Sequence, residues 1–126
     1  MKTKPRFSDE TLAAIRQALV IGLRAGSRPH RFIALWAVVV ENRVFVRSWS
    51  LKSNGWHRAL LKEPLGTLQI AGQEIAVRTV QTRSERLKDA VSRAYLEKYK
   101  TPGSVRYARD LVRAKSRATT TELIPL

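Results

Sequence analysis

The chain has no cysteine in its 126 residues, which excludes disulfides, thiolate metal sites, iron–sulfur clusters and cysteine nucleophiles together. Histidine is nearly as scarce. His30 and His57 are far apart and have no second histidine or carboxylate pair at ligand spacing, so no metal site is expected. The longest apolar run, Phe32 to Val40, is nine residues, against about twenty for a membrane-spanning helix. Basic Met1 to Arg6 leads into Ser8, Asp9 and Glu10 instead of an apolar segment, so no signal peptide is expected and the chain reads as cytoplasmic. No serine lies in a GxSxG elbow, and no residue is assigned a catalytic role.

Acids are also few, 10 against 24 Lys plus Arg, which sets the net charge at +14 and the isoelectric point near 11.3. The basic residues are scattered over the whole chain and mixed with acids in 83-RSERLKDAVSRAYLEKYK-100, without a nucleic-acid recognition motif. The charge therefore reads as a solvated basic surface or one suited to small phosphorylated anions, with nonspecific, salt-sensitive nucleic-acid binding expected in either case. A hydrophobic fraction of 44% and a length that lets one core bury roughly two-thirds of the chain's surface describe an ordered domain, taken as 1–126.

The spacing of Leu12, Ile15 and Leu19 predicts an N-terminal helix, bounded within 1–17 and capped by Ser8. Barrel hairpins fill 18–81. A strand from about Ala18 to Arg24 comes first, then a central strand over Phe32 to Val40 covered on both faces. Glu41-Asn42 turns this strand into a partner in which Val44 and Val46 face one way and Phe45 the other. A two-turn helix over Trp56 to Lys62 stops before Pro64, and a second hairpin occupies 66–81 around Ala71-Gly72-Gln73. Helices fill 84–115: Ser84 caps one bearing Leu87, Val91, Ala94 and Tyr95, and a shorter one runs from about Ser104 to Lys115. The Thr-rich ending 117–126 predicts a last strand. Hairpins with helices gathered at the ends point to an α+β protein whose strands curl into a small barrel.

One cluster suits chemistry. In 47-RSWSLKSNGWHR-58, Arg47, Lys52 and Arg58 gather with Ser48, Ser50, Ser53 and two tryptophans where a strand meets a short helix. Charge-assisted donors and hydroxyls suit a phosphate, and an indole face suits a planar heterocycle. The alternative is a solvated turn with Trp49 or Trp56 in the core. Trp36 reads as core of its strand, although a place beside a ring pocket is open to it, and Tyr95, Tyr99 and Tyr107 read as packing residues.

The residues 31-RFIALWAVVVENRVFVRSWS-50 and 55-GWHRALLKEPLGTLQI-70 resemble the flavin-binding split β-barrels related to pyridoxamine-phosphate oxidase, particularly the deazaflavin-dependent nitroreductase branch. With 89-DAVSRAYLEKYK-100 and 117-RATTTELIPL-126, the chain is also similar to an uncharacterised bacterial domain family. The resemblance implies a six-stranded antiparallel split β-barrel with flanking helices, a homodimer, and FMN or a deazaflavin as cofactor. It implies that Arg47, Ser48, Ser50, Lys52 and Ser53 hold the cofactor phosphate, with Trp56, His57 and Arg58 bordering the site. Glu63 replaces the branch's Asn, His57 its common Tyr, and 31-RFIALW-36 lacks its Thr-Pro. The function expected is a flavin- or deazaflavin-binding oxidoreductase-like protein; the alternative is a non-catalytic module for a small phosphorylated ligand or nucleic acid. On the first reading, removing Arg47 and Lys52 together weakens cofactor retention without unfolding the chain.

Overall fold

The computed structural model describes residues 5–26, 31–49 and 55–126. Its elements run α1 (Asp9–Gln17), β1 (Ile21–Ala25), β2 (Ile33–Leu35), β3 (Ala37–Val40), β4 (Arg43–Val46), α2 (Trp56–Lys62), β5 (Leu65–Ile70), β6 (Gln73–Gln81), α3 (Glu85–Lys98), α4 (Val105–Leu111), α5 (Ala114–Arg117) and β7 (Thr121–Pro125). The strands form one antiparallel sheet in the order β2-β1-β5-β6-β7-β4-β3. Its two edge strands, β2 and β3, are consecutive in the chain and separated only by Trp36. The covalent chain thus joins the two ends of the sheet, which is a nearly closed barrel.

This corrects the strand count from six to seven. The apolar stretch Phe32 to Val40 is not one central strand. Its first part pairs with β1 through Ile21↔Leu35, and its second pairs with β4 through Ala37↔Val46. An apolar run covered on both faces looks the same from sequence whether it lies in one sheet or bends between two edges. The predicted helix from Ser104 to Lys115 likewise divides into α4 and α5.

Both hairpin turns are two residues long, with both residues at positive φ: Glu41 at 54° and Asn42 at 60°, Ala71 at 51° and Gly72 at 76°. Such turns twist in the same sense as the strands they join. Gly66 is required at the β1–β5 crossing, because a Cβ there would lie 2.7 Å from the Arg24 carbonyl oxygen.

The alternation in β4 divides the protein into two cores. Val44 and Val46 point into the barrel, where they meet Leu23, Leu68, Val77 and Leu123, with Leu12 and Ile15 of α1 and Leu60 of α2 completing the packing. Phe45 points outward with Val38 beneath Leu87, Val91 and Tyr95 of α3, Tyr99 at the C-cap of that helix and Leu111 of α4. The expected caps are present. The Ser8 hydroxyl accepts from the Thr11 N–H and the Ser84 hydroxyl from the Leu87 N–H. Among the described residues no helix is long and apolar enough to cross a membrane.

Candidate functional site

Immediately after β4 the chain delivers Arg47 into the space between the barrel and its helices, where it is 2% exposed. Its Nε donates to Thr120 Oγ1 at 2.8 Å. Nη1 donates to Ser92 Oγ at 2.8 Å and to the Leu111 carbonyl at 2.9 Å, and Nη2 donates to the Lys88 carbonyl at 2.8 Å. The guanidinium carbon lies 5.8 Å from the centre of the Tyr95 ring. Burial lowers the Arg47 pKa to about 10, and it remains a cation at neutral pH. Arg47 therefore ties β4 to α3, α4 and the lead-in to β7, and these internal acceptors take up four of its five N–H donors.

The threonines before β7 carry the rest of this polar seam. The Ser48 N–H donates to Thr119 Oγ1 at 2.8 Å, and the Thr119 and Thr120 hydroxyls each donate 2.6 Å bonds to carbonyls of Ser116 and Arg117. One residue on, the Thr121 hydroxyl accepts from Gln81 Nε2 at 3.1 Å and donates to the Thr119 carbonyl at 2.8 Å. Gln81 also meets His57, with Gln81 Oε1 2.9 Å from His57 Nε2. His57, Gln81, Thr121, Thr119 and Ser48 form one hydrogen-bonded connection from α2 to the end of β4. The Thr run, expected simply as strand, is the part of this seam that the sequence did not reveal. Its signal was three adjacent hydroxyls leading into the strand.

The other expected site residues divide by position. Trp56 is half-buried against the barrel interior, with its ring edge-on to His57 at 5.8 Å. Arg58 is exposed on α2. Ser50, Lys52 and Ser53 lie outside the described residues.

Beside Arg47 the structure forms an aromatic cleft of about 340 Å³, lined by Ala34, Leu35, Trp36, Arg47, Trp49, Tyr107 and Leu111. Trp36, at the break between β2 and β3, meets Tyr107 edge-on at 6.3 Å, and Trp49 meets Tyr107 edge-on at 5.9 Å. The Trp49 indole N–H donates to Asp110 Oδ2 at 3.2 Å, so the ring is held in place although it is 62% exposed. Tyr107 is 43% exposed. Tyr95, fully buried and held well above the usual phenol range by that burial, donates from its hydroxyl to the Trp36 carbonyl at 2.7 Å. Sequence reading placed Trp36 in a strand and Tyr107 among packing residues; they meet only because the strand breaks and α4 folds back over the break.

The crystal structure of conserved hypothetical protein Rv2991 from Mycobacterium tuberculosis is similar to this chain, with a TM-score of 0.60, 13% identity, and coverage of 98% of this chain and 83% of that one. A likeness at that identity is one of fold. No curated protein matches the chain. Residues 10–123 match the model of a family described as uncharacterized protein conserved in bacteria (DUF2255), and with nearly its whole length matched the chain belongs to that family.

Proposed function

We propose that this protein is a binding module whose aromatic cleft takes the flat ring of a small phosphorylated molecule, with flavins and deazaflavins as the ligand class. The observation that carries this reading is the cleft wall itself: Trp36, Trp49 and Tyr107 gather around about 340 Å³ of space, and Trp49 is held there while largely exposed. Tryptophan without a ligand or partner to meet is normally packed away, and pockets for small molecules start at about this volume. The space suits a ring system and leaves a phosphate-bearing chain outside it.

The fit for the phosphate is different from that suggested by the resemblance. Arg47 has four of its five N–H donors committed to Thr120, Ser92, Leu111 and Lys88, so at most one is left for a phosphate. In this proposal the phosphate falls to Ser50, Lys52 and Ser53, which follow Trp49 directly in sequence, and to the exposed Arg106 and Arg109 of α4. A bound flavin would supply hydride or electron chemistry; the chain supplies the stacking wall and the positive surroundings.

Titration of the purified chain with FMN and with a deazaflavin, followed by tryptophan fluorescence and by the ligand's absorbance, tests the reading. Saturable binding that weakens at least tenfold in Trp49→Ala and Tyr107→Ala, with unchanged circular dichroism, is expected. Absence of binding, or binding indifferent to both substitutions, overturns it.

A further inference from the structure

We infer that the cleft selects ring ligands carrying negative charge on or beside the ring, because a buried guanidinium stands in its wall with no carboxylate against it. The inference rests on the reading of the cleft as a ring site and adds the charge of its occupant.

The acceptors that hold Arg47 are two hydroxyls and two carbonyls, all neutral. Among the described residues no carboxylate lies within ion-pair distance of it. Asp89 attracts it from further away, but Asp89 is engaged by Arg117 at 2.8 Å, and Arg117 also takes Glu85 at 3.1 Å. The carboxylate at the cleft rim, Asp110, is occupied by the Trp49 N–H and by Arg113 at 3.4 Å. A second cation repeats the arrangement behind the aromatic wall. Lys98 Nζ donates to the carbonyls of Ile15 and Ala37, and lies 5.3 Å from the centre of the Tyr99 ring on which Trp36 is stacked.

Carbonyl and hydroxyl dipoles satisfy hydrogen bonds without cancelling net charge, so the Arg47 charge remains in the wall of a largely apolar space, with the Lys98 charge further off behind Tyr99. In a medium that screens poorly, an anion in that space gains more than it would at an open surface. Because four of the five Arg47 N–H donors are already used, the gain comes mainly through the field and needs no direct hydrogen bond. That favours charge spread over a ring or held close to it.

The test compares two flat probes of one shape, 2-naphthoate and its neutral amide 2-naphthamide, titrated into the full-length chain at neutral pH in about 0.1 M and about 1 M salt. The screening length falls from about 10 Å to about 3 Å over this range, which removes the influence of exposed Arg106 and Arg109 and leaves buried groups largely unscreened. The expected result is at least tenfold tighter binding of the carboxylate, with most of the preference kept in high salt. Equal affinity overturns the inference and leaves the ring reading standing. A preference that disappears in high salt also overturns it, since the charge responsible is then at the surface. If neither probe binds at millimolar concentration, both readings fall. Arg47→Gln, where it folds, is expected to lose most of the preference while still binding the amide; the salt series does not depend on that variant.

Discussion

Trp36 lies flat on Tyr99, with ring centroids 3.9 Å apart and planes 3° from parallel, at the single residue that separates β2 from β3. The stack joins the break in the barrel to the C-terminal end of α3. It is held from both sides, since the Tyr99 hydroxyl donates to the Leu19 carbonyl at 2.7 Å and the Trp36 carbonyl accepts from Tyr95. Tyr99→Phe keeps the ring and loses one hydrogen bond, so it is expected to cost about 1 kcal/mol. Tyr99→Ala also loses the stack and leaves a cavity, for a cost of about 3–5 kcal/mol, and frees the Trp36 indole. Chemical denaturation of the two variants checks the ratio, and a red shift of tryptophan emission in the second checks the coupling to Trp36.

Local signals recovered local structure. Ser8 and Ser84 marked helix starts, Glu41-Asn42 marked a turn, and the alternation through Val44, Phe45 and Val46 named the residues that face each core. What escaped depends on partners distant in sequence. Arg47 reads as a phosphate anchor until its acceptors, 41 to 73 residues away, are brought around it. The break at Trp36 depends on which strand each half of an apolar run pairs with, and nothing within Phe32 to Val40 records that. The site cluster was partly legible for the same reason: Trp49 belonged to it, but Trp36 and Tyr107, which complete the cleft, arrive from other parts of the chain.

The expectation that Arg47 and Lys52 can be removed together without unfolding the chain is set against a stability cost that the surroundings of Arg47 imply. Replacement by methionine keeps much of the stem but leaves Thr120 Oγ1, Ser92 Oγ and the Leu111 and Lys88 carbonyls without their donor. A loss of about 3 kcal/mol or more is expected for Arg47→Met. Exposed Arg58→Met should stay within about 0.5 kcal/mol. Parallel urea titrations measure both, and an Arg47 variant as stable as the Arg58 variant would show that the internal bonds contribute little.

Thr79 offers the opposite sign. It lies in β6 two residues from fully buried Val77, is itself 7% exposed, and its hydroxyl has no hydrogen-bond partner among the described residues. A buried hydroxyl without a partner costs about 1–3 kcal/mol relative to water. Thr79→Val replaces it with a methyl of nearly the same shape and is expected to raise stability by about 1 kcal/mol. A shift of the denaturation midpoint to higher urea with an unchanged slope is the expected reading. Thr121→Val, whose hydroxyl bonds both Gln81 and Thr119, should move the midpoint the other way.

Lys98 sets a pH dependence that can be isolated from the rest. Partial burial lowers its pKa from an ordinary 10.5 to about 8, so the folded chain gives up this proton earlier than the unfolded chain does. Between those values the unfolded state binds more protons, and stability rises with pH; below about 8 both states are protonated and the slope vanishes. Tyr95 and Tyr99 act in the opposite direction, since burial holds both phenols well above their ordinary 10.0 and stability falls once the unfolded phenols ionise. The rise should therefore be visible between about pH 8 and about pH 9.5, before the tyrosines reverse it. Lys98→Met keeps the stem over Tyr99 and removes the titrating group, so its stability should be flat across the same window. Unfolding free energies of the two proteins at half-unit pH steps decide the matter: parallel curves would mean that Lys98 keeps its proton in the fold through that range.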